Sequence, residues 1–246
     1  MPSKRSEFIS SRPKPISLIE QRVKSILWYT VECYTLLQND KPSYKKNVIK
    51  ENTKYNFEDY LKMEFVDEYL IKNKYLLKNR TSDLEEINFA YEPVKRFKDL
   101  AGKERSDKID VYINKLGLNK SLSIPDEHCY FVFECKRLEI LSDTEKYIDD
   151  TQNFADRDYL QNRLPFEGQI AFIEHPKLSS DKVCTEINRR LDERKSEIVT
   201  IEFLTKTKFH KSFSSSYKSK HKKRFGKNQE FTIYHLMFDY SSLVVE

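Results

Sequence analysis

Glycine is scarce in this chain, 4 among 246 residues, and tryptophan occurs once. Scarce glycine beside 38% hydrophobic and 34% charged residues describes a globular chain with much helix rather than a disordered one. The four cysteines, Cys33, Cys129, Cys135 and Cys184, form no C-x-x-C pair, which argues against a zinc knuckle or ribbon. Their scatter fits a reducing compartment. The five histidines are equally dispersed and H-E-x-x-H is absent. No stretch approaches the about 20 apolar residues of a membrane helix. Met1 to Pro15 is basic and proline-containing, with no apolar run behind it. The expectation is a cytoplasmic protein without a membrane partner.

A net charge of +5 decides little by itself. Its distribution says more, because clustered Lys and Arg release counterions from a phosphate backbone. Residues 206–228 hold nine Lys or Arg (206, 208, 211, 218, 220, 222, 223, 224 and 227) and no Asp or Glu. We read this stretch as a basic loop in which Lys218, Lys220, Lys222, Lys223 and Arg224 grip phosphates. Phe209, Phe213, Tyr217 and Phe225 are available there to stack on unpaired bases. The competing reading is a solvated hairpin loop.

Residues 1–15 read as a flexible basic tail and 16–246 as a single domain. Apolar residues every three or four positions (Leu18, Ile19, Val23, Ile26, Leu27, Tyr34, Leu37) predict a helix over about 17–38. A second helix is predicted over about 56–78, carrying Glu58, Glu64 and Glu68. Glu64 and Glu68 are four apart and share a face. Alternation then predicts strands at Ile87–Tyr91 and Ile109–Ile113. The continuous apolar run Cys129–Phe133 has the look of a strand buried on both faces. An acidic helix over about 142–164, stopped by Pro165, precedes a strand at 168–173. A helix over 180–195 and strands at 199–204 and 231–238 complete the pattern. No internal repeat is visible. The expected fold is α/β, a central mixed sheet flanked by helices.

One segment carries chemistry. In Tyr130-Phe131-Val132-Phe133-Glu134-Cys135-Lys136 an apolar strand runs into an acid and a lysine two residues apart. Residues two apart on a strand share a face, so Glu134 and Lys136 stand side by side and Cys135 points the other way. If the strand around Asp110 pairs with this one as a hairpin, Asp110 meets Glu134. Two carboxylates can hold Mg²⁺, a hard cation that prefers oxygen and keeps several waters. The ion polarises a phosphate oxygen and lowers the pKa of a water, and a lysine offsets charge on the pentacovalent state. A second acid-x-Lys, Glu193-Arg194-Lys195, has no apolar strand before it. The structural alternative for Glu134 and Lys136 is an ion pair at a strand end.

Together these residues resemble the PD-(D/E)xK, or restriction-endonuclease-like, nuclease superfamily. Asp110 matches its first acid, Glu134 the second and Lys136 the lysine. The likeness runs over about 56–175. It implies a restriction-endonuclease-like sheet and a Mg²⁺ (or Mn²⁺) site on Asp110, Glu134 and the backbone carbonyl of Cys135. It also implies a glutamate from a preceding helix. We assign Glu64 to that place for its apolar neighbours, with Glu68 as the alternative on the same face. The sequence departs from the family in having Ile109 rather than proline before Asp110 and a long gap between the acids. No Q-x-x-x-Y follows Lys136: Asp156 stands four after Gln152 and Pro165 four after Gln161. The resemblance implies an endonuclease, with DNA favoured over RNA, of the kind used in restriction or antiphage defence. It also implies a protein partner or homo-oligomer. The alternative is a non-catalytic nucleic-acid-binding or scaffolding protein on the same fold.

Overall fold

A computed structural model describes residues 15–78, 86–118, 125, 129–159, 164–225 and 229–245. The tail expected at 1–15 lies outside these residues, apart from the backbone of Pro15.

The chain opens with helix α1 (Pro15–Asp40), whose fully buried Val23, Ile26, Leu27, Val31 and Leu37 recur at helical spacing. Strand β1 (Tyr44–Lys45) and helix α2 (Lys46–Asn52) lead to helix α3 (Phe57–Glu64). Asn56 caps α3 by accepting a hydrogen bond from the Asp59 backbone N–H at 2.9 Å. The helix then widens into a π-helical segment, Phe65–Ile71, before the short helix α4 (Tyr75–Lys78). The single helix expected over 56–78 is therefore three segments. The reason lies on α1: the Tyr29 hydroxyl donates to the Leu70 carbonyl, and Cys33 Sγ contacts the Tyr69 carbonyl at 3.3 Å. Side chains from a neighbouring helix thus serve carbonyls in the widened segment.

Strands β2 (Asn88–Tyr91), β3 (Val94–Lys98), β4 (Glu104–Lys108), β5 (Val111–Asn114) and β6 (Phe131–Leu138) follow. A 3₁₀ turn, Leu141–Asp143, leads into helix α5 (Thr144–Asp156), and then come β7 (Asp158–Tyr159) and β8 (Phe166–Ile173). Helix α5 ends well before Pro165, because residues 158–159 turn away to pair with β3. Helix α6 (Ser180–Glu193), strands β9 (Thr200–Lys206), β10 (Ser216–Lys222) and β11 (Glu230–Asp239), and β12 (Val244–Val245) complete the chain.

Seven strands form the main sheet in the order β2-β5-β6-β8-β11-β10-β9. Its centre, β6-β8-β11, is parallel and its outer pairs are antiparallel, so the sheet is mixed as expected. All eight residues of β8 are buried, as a strand covered on both faces requires. One face, with Phe131, Phe133, Cys135, Leu236 and Phe238, packs on α1 and the π-helical segment. The other packs on α5 and α6 through Ala171, Met237, Tyr147, Val183 and Ile187. Its continuation, with Tyr112, Tyr130 and Val132, packs on Phe154 of α5 and Phe97 of a small three-stranded sheet, β4-β3-β7.

Strand β10 was not expected. The stretch read as a basic loop at 206–228 contains a central strand bonded on both sides. Its inward residues, Tyr217, Ser219 and His221, are buried, and two of them are polar. The alternation is real but is not one of hydrophobicity.

Candidate active site

The antiparallel register of β5 and β6 aligns Val111 with Phe133 and Tyr112 with Val132. One step further, it brings Asp110 opposite Glu134. Asp110 lies just before β5, in the bend that joins β4 to β5. Its Oδ2 accepts a hydrogen bond from the Cys135 backbone N–H at 2.8 Å. The meeting of Asp110 and Glu134 expected from the two strands is thus present, on the β6 segment that also carries Lys136.

Helix α3 closes one end of this cluster. Glu58 Oε2 accepts from the Arg137 backbone N–H at 3.0 Å, and its Oε1 lies 3.6 Å from Lys136 Nζ. One turn on, Lys62 is buried, and its Nζ lies 2.6 Å from Asp110 Oδ1, 3.0 Å from Asp59 Oδ1 and 3.4 Å from Glu92 Oε1. Glu58 and Lys62 are four apart, so one helix face delivers an acid and a base together.

Helix α5 closes the other side with Asp150. Lys136 Nζ lies 3.2 Å from Asp150 Oδ2, yet that buried oxygen has no aligned hydrogen-bond donor. The contact is charge compensation across a short gap. An open cleft of about 510 Å³ borders Glu58, Lys136 and Asp150, with Lys146 and Arg137 also along its wall.

Burial and close charges shift Glu134, Asp150, Lys62 and Lys136. Burial raises Glu134 well above the usual carboxylate range, and the neighbouring Asp110 and Asp150 raise it further. Burial also pushes Asp150 up to about 6; Lys136 opposes this and Asp110 adds to it. Burial would lower Lys136, but Asp150, Glu58, Asp110 and Glu134 outweigh it and hold the ammonium charged. Lys62 behaves alike: burial lowers it, while Asp110 and Asp59 more than compensate.

The glutamate that this helix brings to the cluster is Glu58, not Glu64. Six residues separate them, roughly 240° around a helix of 3.6 residues per turn. Glu64 accepts a hydrogen bond from the Tyr60 hydroxyl at 3.2 Å and borders a separate cleft with Asp40, Glu68 and Lys72. Glu68, the alternative, pairs with Lys72 there. Sequence reasoning placed an acid on this helix but chose the wrong face. It missed Lys62 and Asp150 altogether. The signal for Lys62 was a lysine four residues after a glutamate; Asp150 had none, standing among several acids of α5.

The basic residues proposed as a grip divide. Paired strand residues point to the same face, so the registers Glu134↔Gln169, Gln169↔His235 and His235↔Tyr217 carry one face across the sheet. Tyr217, Ser219 and His221 lie on the face of Glu134 and Lys136. Lys218, Lys220 and Lys222 therefore lie on the opposite face. Lys220 pairs with Glu230 at 2.5 Å, and Arg224 with Asp156 at 3.3 Å. Lys223 donates to the Phe154 carbonyl at 2.6 Å. The structure does not bring these five residues to the candidate site.

The donors suit a hard divalent cation: adjacent carboxylates of Asp110 and Glu134, with the backbone of Cys135 alongside. As the side chains stand, however, no group of three or more His, Cys, Asp or Glu among the described residues forms a ready metal cage. Lys62 takes up the charge of Asp110. The Cys135 thiol is buried toward α1 and burial pushes it far up, so it is no nucleophile. No family model, curated protein or solved structure matches this chain. No described helix is long and apolar enough to cross a membrane.

Proposed function

We propose that this chain is a metal-dependent endonuclease that hydrolyses phosphodiester bonds of DNA, on a restriction-endonuclease-like fold. The observation that carries the reading is the convergence of Asp110, Glu134 and Lys136, with Lys136 lining an open cleft and held by Glu58 and Asp150 from either side. Asp110, Glu134 and the Cys135 carbonyl would hold Mg²⁺ or Mn²⁺. A bound ion of this kind polarises a phosphate oxygen and lowers the pKa of a water. Lys136, kept charged by Asp150 and Glu58, offsets the charge that develops on phosphorus oxygens. Glu58 fixes α3 to β6 through the Arg137 N–H, and so sets the distance between the helix and the lysine.

The implied settings are restriction or antiphage defence, with recognition supplied by a partner protein or a second copy of the chain. A second reading, a non-catalytic nucleic-acid-binding or scaffolding protein, draws on one observation. Both oxygens of Asp110 already have donors, Lys62 and the Cys135 N–H.

Cleavage of plasmid and single-stranded DNA with Mg²⁺ or Mn²⁺ separates the two. The expected result is metal-dependent cutting that drops at least about 100-fold in both Glu134→Ala and Lys136→Ala, the scale of losing one preorganised group. Cutting that survives both substitutions would remove the site from consideration. If no version cuts and Mn²⁺ leaves the melting temperature unchanged, the scaffolding reading stands.

A further inference from the structure

We propose that the hairpin β3–β4, residues 94–108, is the arm by which this protein grips the backbone of duplex DNA. The choice of DNA and the argument from position rest on the nuclease reading; the charge and shape of the hairpin do not.

Position is the first argument. The inner face of the hairpin packs on the sheet face that bears Glu134 and Lys136. Phe97 belongs to one cluster with Tyr112, Tyr130 and Val132, and Lys95 Nζ lies 4.2 Å from the centre of the Tyr112 ring. Tyr130, Val132, Glu134 and Lys136 alternate along β6 and so share that face. Strand β4 runs, after Ile109, directly into Asp110. From the arm, Lys108 Nζ reaches Glu92 Oε2 at 2.7 Å, and the other oxygen of Glu92 contacts Lys62, which contacts Asp110. A nucleic acid lying along the arm is led to the carboxylates.

Charge is the second. The register pairs Val94 with Lys108, Arg96 with Ser106 and Lys98 with Glu104, and all six residues are exposed. Lys103 and Arg105 add two exposed cations at the tip, where Asp99 takes up Arg105 at 3.1 Å. Arg96, Lys98 and Lys103 make no ion pair among the described residues. By contrast, Lys220, Lys223 and Arg224 are engaged by their own chain, and Lys218, Lys220 and Lys222 face away from the site. Counterion release requires cations free to meet phosphates, on the side where the chemistry is.

Shape is the third. A two-stranded ribbon fits the major groove of B-form DNA, whereas the deep, narrow major groove of duplex RNA excludes it. Five residues per strand reach about 17 Å, half of a duplex turn of about 34 Å. The outer face of the ribbon carries no aromatic residue on which unpaired bases could stack, so a single strand has less to hold.

The test is binding of a fluorescent 25-base-pair DNA duplex by anisotropy, in EDTA over a salt series. Wild type is compared with Arg96→Ala/Lys98→Ala/Lys103→Ala and with Lys218→Ala/Lys220→Ala/Lys222→Ala. All the arm residues changed are exposed, and thermal melts check that each variant folds. The arm variant is expected to bind at least tenfold more weakly and to lose about two to three from the slope of log K on log salt, at about 0.9 per phosphate contact. The β10 variant should stay within twofold of wild type. The proposal is overturned if the two variants exchange behaviours, if the arm variant binds like wild type, or if wild type fails to bind the duplex. Binding single-stranded DNA or duplex RNA as tightly as duplex DNA overturns it as well. Arm-dependent binding without cutting in any metal would remove the nuclease reading and leave the arm in place.

Discussion

Two buried polar clusters share one face of the main sheet, and they solve the same problem in opposite ways. In the first, at β5, β6, α3 and α5, charge is met by charge: Asp110 is paired with Lys62, and Glu58 and Asp150 with Lys136, around a Glu134 that burial raises. In the second, at β10 and β11, charge is given up. Tyr147 Oη lies 2.9 Å from His235 Nδ1, His235 Nε2 lies 2.8 Å from Ser219 Oγ, and Ser219 Oγ lies 2.7 Å from His221 Nε2. His221 Nδ1 ends the chain on Thr200 Oγ1 at 3.3 Å. Run in either direction, this chain gives each histidine one proton and leaves both neutral. Burial holds His221 down to about 3, and holds His235 well below the ordinary histidine value, with His221 adding to the effect.

The contrast shows where chemistry can reside. A serine between two histidines has the composition of a hydrolase site, but all three are buried and both nitrogens of each ring already have partners, Ser219 with Tyr147 or Thr200. The charged cluster meets Asp150 Oδ2 with the Lys136 ammonium at 3.2 Å without an aligned hydrogen bond, and it opens on a cleft. Unbalanced polarity next to solvent marks a site; balanced polarity sealed from solvent marks a structural joint. The two meet on α5, where Tyr147 and Asp150 are one turn apart.

The largest test of this contrast is Lys62→Met. Removing one partner of a buried charge cluster leaves Asp110 and its neighbours uncompensated, at about 3–5 kcal/mol. Urea unfolding at pH 7 should show that loss, and a loss below 1 kcal/mol would mean that Lys62 is replaceable by water.

Acid should act on the clusters with opposite signs. For the histidines the folded-state pKa is depressed, so the unfolded chain binds more protons between about 6.5 and about 3. Their contribution is full above about 6.5 and is lost as pH falls, by up to about 1.4 kcal/mol per unit for each histidine. His221→Asn should flatten that part of the melting profile. For Asp150 the folded-state pKa is raised to about 6, so the aspartate contributes stability at low pH that is lost as pH rises through 6. Asp150→Asn should therefore stabilise the protein by about 1–3 kcal/mol at pH 8 and by little at pH 4. An equal effect at both values would show that Lys136 compensates Asp150 in full.

Ser219→Ala should cost about 1–3 kcal/mol, for leaving ring nitrogens of two histidines without a partner. Cleavage should be unchanged. A loss of cleavage at unchanged stability would couple the neutral chain to the charged one and end the distinction between them.

Much of the charged cluster was legible in the sequence because strand periodicity transmits it. Alternation at Ile109–Ile113 and the apolar run before Glu134 suffice to bring Asp110 and Glu134 together. The helical acid was not legible, because Glu58, Glu64 and Glu68 lie on one apolar-patterned helix and only the docking of α3 on β6 selects Glu58. The widened segment Phe65–Ile71 has its Tyr69 and Leu70 carbonyls served by Cys33 and Tyr29, distant in sequence. The basic stretch misled for a different reason: lysines outward and a serine and a histidine inward conceal a strand whose inner side is satisfied by hydrogen bonds instead of burial of hydrocarbon.

Strand β11 has a consequence for the order of assembly. It follows the other long strands of the described residues in sequence, yet it stands between β8 and β10 within the sheet, and Tyr34 of the first helix both donates to and accepts from the backbone of Asp239 at its end. A growing chain stopped short of it can pair β6 with β8, but it leaves one edge of β8 bare and Tyr34 of α1 without the Asp239 backbone. Long-range closure of this kind is slow and exposes a hydrophobic strand edge while it waits. The acids and lysines of the cluster are all made early, but their support arrives late. A nascent chain therefore carries Asp110, Glu134 and Lys136 in sequence well before the sheet that supports them is closed.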